Sequence, residues 1–457
     1  MNFRIITLGC KLNQLESEAL SDAFLRAGFQ RAADGEEHGE EGSFPSVVIV
    51  NTCTVTSKAD QKARRVIRKA LRDYSDSLVF VTGCYARLSG DELLQLDNGE
   101  KRRLFVINKE RIIDLPQCLK NAPENAIHQI VFDYLRSFNF PASAESAPSL
   151  EHRENDQFQF NPKQFSTRTR SLLKIQDGCD KKCSYCGIRL ARGPSVSLDS
   201  SEALSRLRIL EESHAEAVLT GVNICQYREP PAFNLTELIN YLLNGTEKIN
   251  IRLSSLEPDY IDEKLTKVLE RKRVRPHFHL SVQSGSKKIL ESMGRGYSAE
   301  TVEKAASFLR GAKDDPFLAC DIITGFPGET ETEFEETFTM CQKIGFAWIH
   351  VFPYSRRPGT EAFAFPNQIR ETEVTRRVRL LTELAKKGKA DYTRRWLGRV
   401  VDVLVEKSAK SSARGVSDNY LKVLVQYKGE KPEPGVALRC KLSAVAGTEY
   451  DAAAAEI

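Results

Sequence analysis

The chain lacks a long apolar run, an excess of charge of one sign, an even set of cysteines and a leader-like start. Each absence excludes a class. No stretch of about 18 apolar residues occurs, so a membrane-spanning helix is not expected. The opening residues, MNFRIITLGCKLNQ, carry neither the basic head nor the apolar core of a secretory signal. A cytoplasmic protein with no membrane partner is the expectation. Lys and Arg number 66 against 62 Asp and Glu, a net charge of +4. That balance excludes a globally basic nucleic-acid binder and leaves only local basic patches. Cysteines number 11, an odd count that argues against a disulfide framework in a long intracellular chain. Metal or catalytic roles for some, and plain burial for others, are the remaining choices.

What is present is alternation. Residues 3–8, 47–50 and 78–82 are short apolar runs that read as buried strands. Residues 16–28 and 59–74 between them have helical periodicity, with Ala63, Ile67, Ala70 and Leu71 on one face. Strands alternating with helices imply βαβ units and a parallel sheet. The polar, Gly-rich stretch 30–46 reads as a loop, and 137–170, rich in Ser, Pro, Asn and charge, as a tether. From 171 the alternation resumes, with strands expected at 171–176, 215–220, 249–254, 277–282, 317–324 and 347–352 and helices at 200–213 and 300–311. Six such units suggest an incomplete (β/α) barrel, whose chemistry sits at the carboxyl ends of its strands. A basic helix is expected at 371–396, then short alternating strands that suit a small β-barrel, with a frayed tail DAAAAEI. The chain is thus α/β, of two to four domains by length. It divides into a parallel-sheet domain over 1–122, a linker over 123–168, a partial (β/α)6 barrel over 169–392 and a small β-barrel over 393–457.

The sharpest chemical signal is GCDKKCSYCG. Cys179, Cys183 and Cys186 form a C-x3-C-x2-C loop directly after the first barrel strand. Three thiolates on one tight loop can hold three irons of a [4Fe–4S] cluster and leave the fourth iron open. Zinc would want a fourth Cys or His at matching spacing, and none follows nearby. A second trio is dispersed: TLGC, VNTC and VTGC place Cys10, Cys53 and Cys84 each just past a parallel strand. Carboxyl ends of adjacent parallel strands share one sheet edge, so these thiols can converge.

The C-x3-C-x2-C loop, with Tyr185 before its third cysteine, resembles the radical S-adenosylmethionine (SAM) superfamily. Two cysteine triads in this order followed by a β-barrel resemble its methylthiotransferase family. GCKLNQLESE, NTCTVTSKADQKARR, VTGCYAR, LTGVNI, RLSSLEP, SVQSGSKKIL, DIITGFPGETE and VFPYSRRPGT are similar to the branch that modifies threonylcarbamoyladenosine beside the tRNA anticodon. Two positions depart from the family pattern, Arg189 and Cys225.

The resemblance implies two [4Fe–4S] clusters, an auxiliary one on Cys10, Cys53 and Cys84 and a SAM-binding one on Cys179, Cys183 and Cys186. It implies that SAM serves both as methyl source and, through a 5′-deoxyadenosyl radical, to activate C2 of the adenine. Tyr185, Gly221, Asn223, Ser254, Glu257, Gln283, Ser284 and Gly325 are the implied SAM and cavity residues. An external electron donor of flavodoxin or ferredoxin type and a sulfur donor are implied partners, with tRNA as substrate. The small β-barrel resembles the TRAM module, at 11 Lys+Arg against 8 Asp+Glu from residue 393 onward. Lys62, Arg64, Arg65 and Arg68, on one helix near Cys53, and Arg192 are the expected RNA contacts. A second basic run includes Arg376, Arg377, Arg379, Lys386, Lys387, Lys389, Arg394 and Arg395. Two other readings stay open: a methylthiotransferase acting on a ribosomal protein, and a non-enzymatic, metal-stabilised RNA-binding protein. Cys118, Cys320, Cys341 and Cys440 are expected in the core, as are His277 and His279.

Overall fold

The computed structural model describes residues 1–457 apart from 33–43, 55, 98–101, 121, 124–125, 137–155, 163–164, 166–168 and 448. Two compact units result. One comprises residues 1–166 and 187–193, the other 167–186 and 194–457.

The first unit is built on a parallel sheet in the order Gln30–Arg31, Asn2–Thr7, Val47–Thr52, Leu78–Gly83, Leu104–Val106. All six residues of Val47–Thr52 and of Leu78–Gly83 are buried. Both faces are covered, which is why these strands read as continuous β-branched and aromatic runs. Phe3, Val47, Ile49 and Phe80 pack on one face and Val48, Val50, Val79 and Val81 on the other. Burial is worth about 1.5–3 kcal/mol for each Val, Ile or Phe. Register aligns the strand ends: Thr7 pairs with Asn51, and Asn51 with Thr82. The helix Lys11–Arg26 starts earlier than periodicity suggested, because its first turns bury polar Asn13, Glu16 and Ser17 alongside apolar Leu12 and Leu15. The helix Ser57–Asp73 buries Ala63, Ile67 and Ala70.

Two segments depart from expectation. Gln30–Arg31, read as loop, pairs with the first strand; residues 33–43 of that stretch lie outside the described residues. Residues read as linker contain the helix Ile127–Arg136, whose Ile127 and Val131 join the sheet's core together with Phe160.

The second unit carries the expected barrel strands at Ser171–Lys174, Glu216–Thr220, Asn250–Leu253, His277–Gln283, Phe317–Thr324 and Trp348–Pro353. They run parallel as two sheets, with Ser255–Leu256 carrying the third strand's path onto the fourth. The helix Glu371–Trp396 follows, then a closed five-stranded barrel. The tail is not frayed. Ala452–Glu456 closes that barrel, parallel to Lys422–Gln426 and antiparallel to Ala437–Val445. The Tyr420 ring of the closed barrel lies tilted against His277, centroids 3.8 Å apart, and 5.1 Å from the buried Arg252 guanidinium. Arg252 is held by Glu216 at 2.6 Å. His279 instead meets Asp321 at 2.9 Å.

Candidate metal and cofactor sites

In the first unit one buried asparagine ties two strand ends together, and Thr52 links them to a third. Asn13 donates from Nδ2 to the Leu8 carbonyl at 2.9 Å, to the Thr52 carbonyl at 2.8 Å and to Asn51 Oδ1 at 3.3 Å. Asn51 returns a bond to the Asn13 carbonyl at 2.9 Å and another to Ser17 Oγ at 3.1 Å. Thr52 donates to the Thr82 carbonyl at 2.6 Å and accepts from the Ala86 N–H at 3.2 Å. Buried polar groups satisfied in this way fix a single arrangement. The cysteines stand on this frame. A Cβ on Gly9, whose φ is +106°, would lie 2.4 Å from Cys53 Cβ and 2.8 Å from its Sγ. Glycine therefore lets the TLGC loop close onto Cys53. Cys10 is exposed, while Cys53 and Cys84 are buried. Burial pushes the Cys84 thiol up, opposed by the Arg192 and Lys109 cations.

In the second unit the loop 179–186 is pinned on both sides. Ser184 donates its N–H to the Met293 carbonyl at 3.1 Å and its hydroxyl to the Ser292 carbonyl at 2.7 Å. The Asp180 N–H reaches Gln226 at 3.0 Å. All three cysteines are half-buried, and the Cys186 N–H bonds the Cys183 carbonyl at 3.0 Å. Beside them Arg295 clasps Glu257 at 2.7 and 2.6 Å and donates to the Tyr185 hydroxyl at 2.8 Å. Lys181 lies 3.4 Å from Glu257 and 3.2 Å from Asp259. Asn223 is held through its N–H by Gln176 at 2.8 Å and through Nδ2 by Glu257 at 3.3 Å. Its buried Oδ1 has no protein partner among the described residues, nor has Arg295 Nε.

Several expected residues serve the scaffold. Ser284 is wholly buried and bonded to Thr337 at 3.1 Å, so it anchors a loop rather than lining a cavity. Gly325, φ +78°, donates to Glu329 at 2.6 Å, and a Cβ there would meet Val374 at 2.4 Å. Gly221 allows a close approach to Gln176, whose carbonyl oxygen would lie 2.8 Å from an added Cβ. Gln283 holds φ +68°, a strained conformation at the end of its strand, and Ser254 bonds the Leu219 carbonyl through its backbone. Cys225 is buried, accepts the Glu257 N–H at 3.3 Å and is pushed up by burial to about 12, which makes it an inert packing thiol. Arg189 is exposed. Cys320, Cys341 and Cys440 are buried, and Cys118 half-buried.

One expected RNA contact is corrected, and a second is found partly engaged within the unit. Arg192 is 2% exposed and engaged with Cys84, Glu16 and Asn13, so no phosphate can reach it. Arg64 turns back onto Tyr85 and Glu92. Lys62, Arg65 and Arg68 remain exposed on the helix Ser57–Asp73, where Arg65, Arg68, Lys69 and Arg72 line a surface cleft. The later basic helix is largely neutralised: Arg376 and Arg377 bind Glu331, Glu329 and Glu373, Lys389 binds Asp451, Arg394 binds Asp391 and Arg395 binds Asp315.

Among the described residues no three His, Cys, Asp or Glu side chains stand close enough to hold a single metal ion. A cubane asks for something wider, since each thiolate takes a different iron. In donor chemistry both sets, three free thiols apiece, suit such a cluster. One has the glycine-permitted approach to Cys53 and a guanidinium N–H on Cys84; the other has a pinned loop beside an unfilled acceptor and donor.

Residues 173–341 match the radical SAM superfamily, and 2–103 match an uncharacterised family, UPF0004. The chain is 37% identical to the threonylcarbamoyladenosine tRNA methylthiotransferase MtaB of Treponema pallidum, over 93% of this chain and 95% of that one. The chain belongs to the radical SAM methylthiotransferase family. The enzyme of the same description from Bacillus subtilis is 32% identical over 95% of this chain and 92% of its own. A tRNA-2-methylthio-N(6)-dimethylallyladenosine synthase from Novosphingobium aromaticivorans is 26% identical over 94% and 92%. Full-length kinship to tRNA enzymes does not favour the ribosomal-protein or the non-enzymatic reading. The apo cobalamin-dependent SAM radical enzyme OxsB superposes with a TM-score of 0.51 at 12% identity, covering 84% of this chain and 56% of that one, a likeness of fold alone. As a member of this family the protein is a transferase that uses two [4Fe–4S] clusters and SAM. No helix among the described residues is long and apolar enough to cross a membrane.

The signals missed in the sequence are polar residues on helical faces expected to be apolar. Asn13, Glu16 and Ser17 in KLNQLES carry such a signal; Gln176, Lys181 and Arg295 do not stand out in pattern from ordinary surface residues.

Proposed function

We propose that the protein inserts a methylthio group at C2 of threonylcarbamoyladenosine beside the anticodon of a tRNA. One observation carries the choice of branch: identity of 37% and 32% over nearly the full length to two threonylcarbamoyladenosine enzymes, against 26% to the dimethylallyladenosine enzyme. The bound clusters and SAM would supply the one-electron and methyl-transfer chemistry that no side-chain acid or base can provide at an aromatic C–H bond.

The chain's residues would do the rest. Cys10, Cys53 and Cys84 would hold the auxiliary cluster, and Cys179, Cys183 and Cys186 the SAM-binding one. The unfilled Asn223 Oδ1 would accept from the amino group of SAM, and Arg295 Nε would donate to its carboxylate or ribose. Glu257 would keep both oriented, and Tyr185, fixed by Arg295, would flank the cluster loop. Lys62, Arg65 and Arg68 would bind tRNA phosphates, and the closed barrel would act as a TRAM-like RNA module. A flavodoxin- or ferredoxin-type electron donor, a sulfur donor and a cytoplasmic setting complete the reading.

The test is mass spectrometry of tRNA nucleosides from cells with and without the gene. Loss of methylthio-threonylcarbamoyladenosine, restored by the intact gene, is expected. An unchanged level in cells with no second enzyme of this kind overturns the assignment.

A further inference from the structure

The segment 187–193 begins directly after Cys186, yet its contacts place it in the first unit. Its short helix Ile188–Arg192 buries Ala191 and Arg192. Arg192 points each of its three nitrogens at a different partner. Nε donates to Cys84 Sγ at 3.3 Å, Nη1 to Glu16 Oε1 at 3.0 Å and Nη2 to Asn13 Oδ1 at 3.2 Å. Lys109, also buried, has Nζ 3.7 Å from the same Glu16 oxygen. Two buried cations therefore face one buried carboxylate beside Cys84.

An isolated buried guanidinium is costly, and Glu16 offsets that cost. Pairing with Glu16 alone would not require Nε to face a sulfur. Asn13, the residue that ties two strand ends together, holds the far corner of the fork and so fixes the direction of Nε. The reduction potential of an iron–sulfur cluster depends on its charge surroundings and on hydrogen bonds to its sulfurs. Reduction adds negative charge, which an N–H donor and a nearby cation stabilise.

We infer that Arg192 is a positioning residue that aims a charged N–H bond at the Cys84 sulfur and raises the reduction potential of the auxiliary cluster. The inference rests on the reading that Cys10, Cys53 and Cys84 hold a cluster. Glu16 opposes the effect, so the Arg192–Glu16 pair sets the potential between two limits.

The test uses the full chain, reconstituted without oxygen, with Cys179, Cys183 and Cys186 changed to Ala so that only the auxiliary site loads. Iron and sulfide are counted, and reduction is followed by electron paramagnetic resonance against applied potential. R192Q is expected to lower the reduction equilibrium constant about tenfold, a shift of about 59 mV to lower potential for a one-electron couple. R192K keeps the charge but not the directed Nε and should fall between. E16Q leaves Arg192 in place, removes the opposing charge and should raise the potential. A loaded cluster whose potential is unmoved in E16Q and in whichever Arg192 variant retains iron overturns the inference alone. A parent chain that loads no cluster overturns the auxiliary-cluster reading, and this inference with it.

Discussion

The chemistry of the first unit depends on residues that are neither thiols nor apolar. Asn13, Asn51 and Thr52 hold three loops in place, and Gly9 is the point where backbone comes closest to a cluster cysteine. Gly9→Ala meets two obstacles. Its φ of +106° is one that L side chains avoid, and its Cβ would sit 2.4 Å from Cys53 Cβ. The backbone strain alone is worth about 1–3 kcal/mol. Gly28 separates the two effects, because its φ is +93° but nothing lies within 4 Å of an added Cβ. Urea unfolding should therefore show both variants destabilised, and iron analysis should show only Gly9→Ala losing auxiliary-site iron. Equal iron in the two would mean that the Gly9–Cys53 approach does not matter for the cluster. The places of the six cysteines, after an apolar strand or on a tight loop, were legible in the sequence. Arg192 was not. Nothing in GIRLARGPS marks a turn of helix that leaves the cysteine loop and packs in the other unit, so its charge reads as surface.

At the scale of elements, period and composition identified the six barrel strands and the helix Glu371–Trp396, because each has one buried and one wet face or two buried ones. The failures share one cause. Ala452–Glu456 has no β-branched residue, and its strand pairing is imposed by the neighbours it closes against. The helix Ile127–Arg136 falls inside the residues assigned to a linker, and its Ile127 and Val131 find their partners in the core of the distant sheet. Glycines inside helices test the same competition between local preference and tertiary packing. Alanine normally stabilises an interior helical position by about 0.5–1 kcal/mol relative to glycine. Gly311, in Ala299–Ala312, has open space around an added Cβ, so Gly311→Ala should raise the denaturation midpoint. Gly388, inside Glu371–Trp396, would put its Cβ 2.2 Å from the Phe346 carbonyl oxygen. That atom is backbone and cannot swing away, so overpacking of about 1–3 kcal/mol should outweigh the propensity gain. Chemical denaturation of the two variants should give shifts of opposite sign; a stabilised Gly388→Ala would show that the helix can slide off Phe346.

For the whole molecule, net charge is a poor guide to where an RNA would lie. The near-zero balance hides a division between cations paired with carboxylates and cations exposed on a helix face. On Glu371–Trp396, Arg394 and Arg395 are spent on Asp391 and Asp315. On Ser57–Asp73, Lys62, Arg65 and Arg68 are exposed on the face opposite the buried Ala63, Ile67 and Ala70. Counterion release gives this difference a measurable form. Each phosphate contact contributes about 0.7–0.9 to the slope of log K against log salt. A K62Q/R65Q/R68Q variant should bind tRNA more weakly at low salt, with the slope reduced by about two to three if all three residues touch phosphates. R394Q/R395Q removes charge from cations that already have carboxylate partners, and its slope should match the parent. Filter binding over a range of potassium chloride concentrations reads both. Because the three substitutions lie on a solvated helix face, iron content should stay at the parent value, which separates a lost RNA contact from a lost fold. An unchanged slope in the triple variant would move the tRNA footprint off this helix, and a reduced slope in R394Q/R395Q would place part of it on the later one.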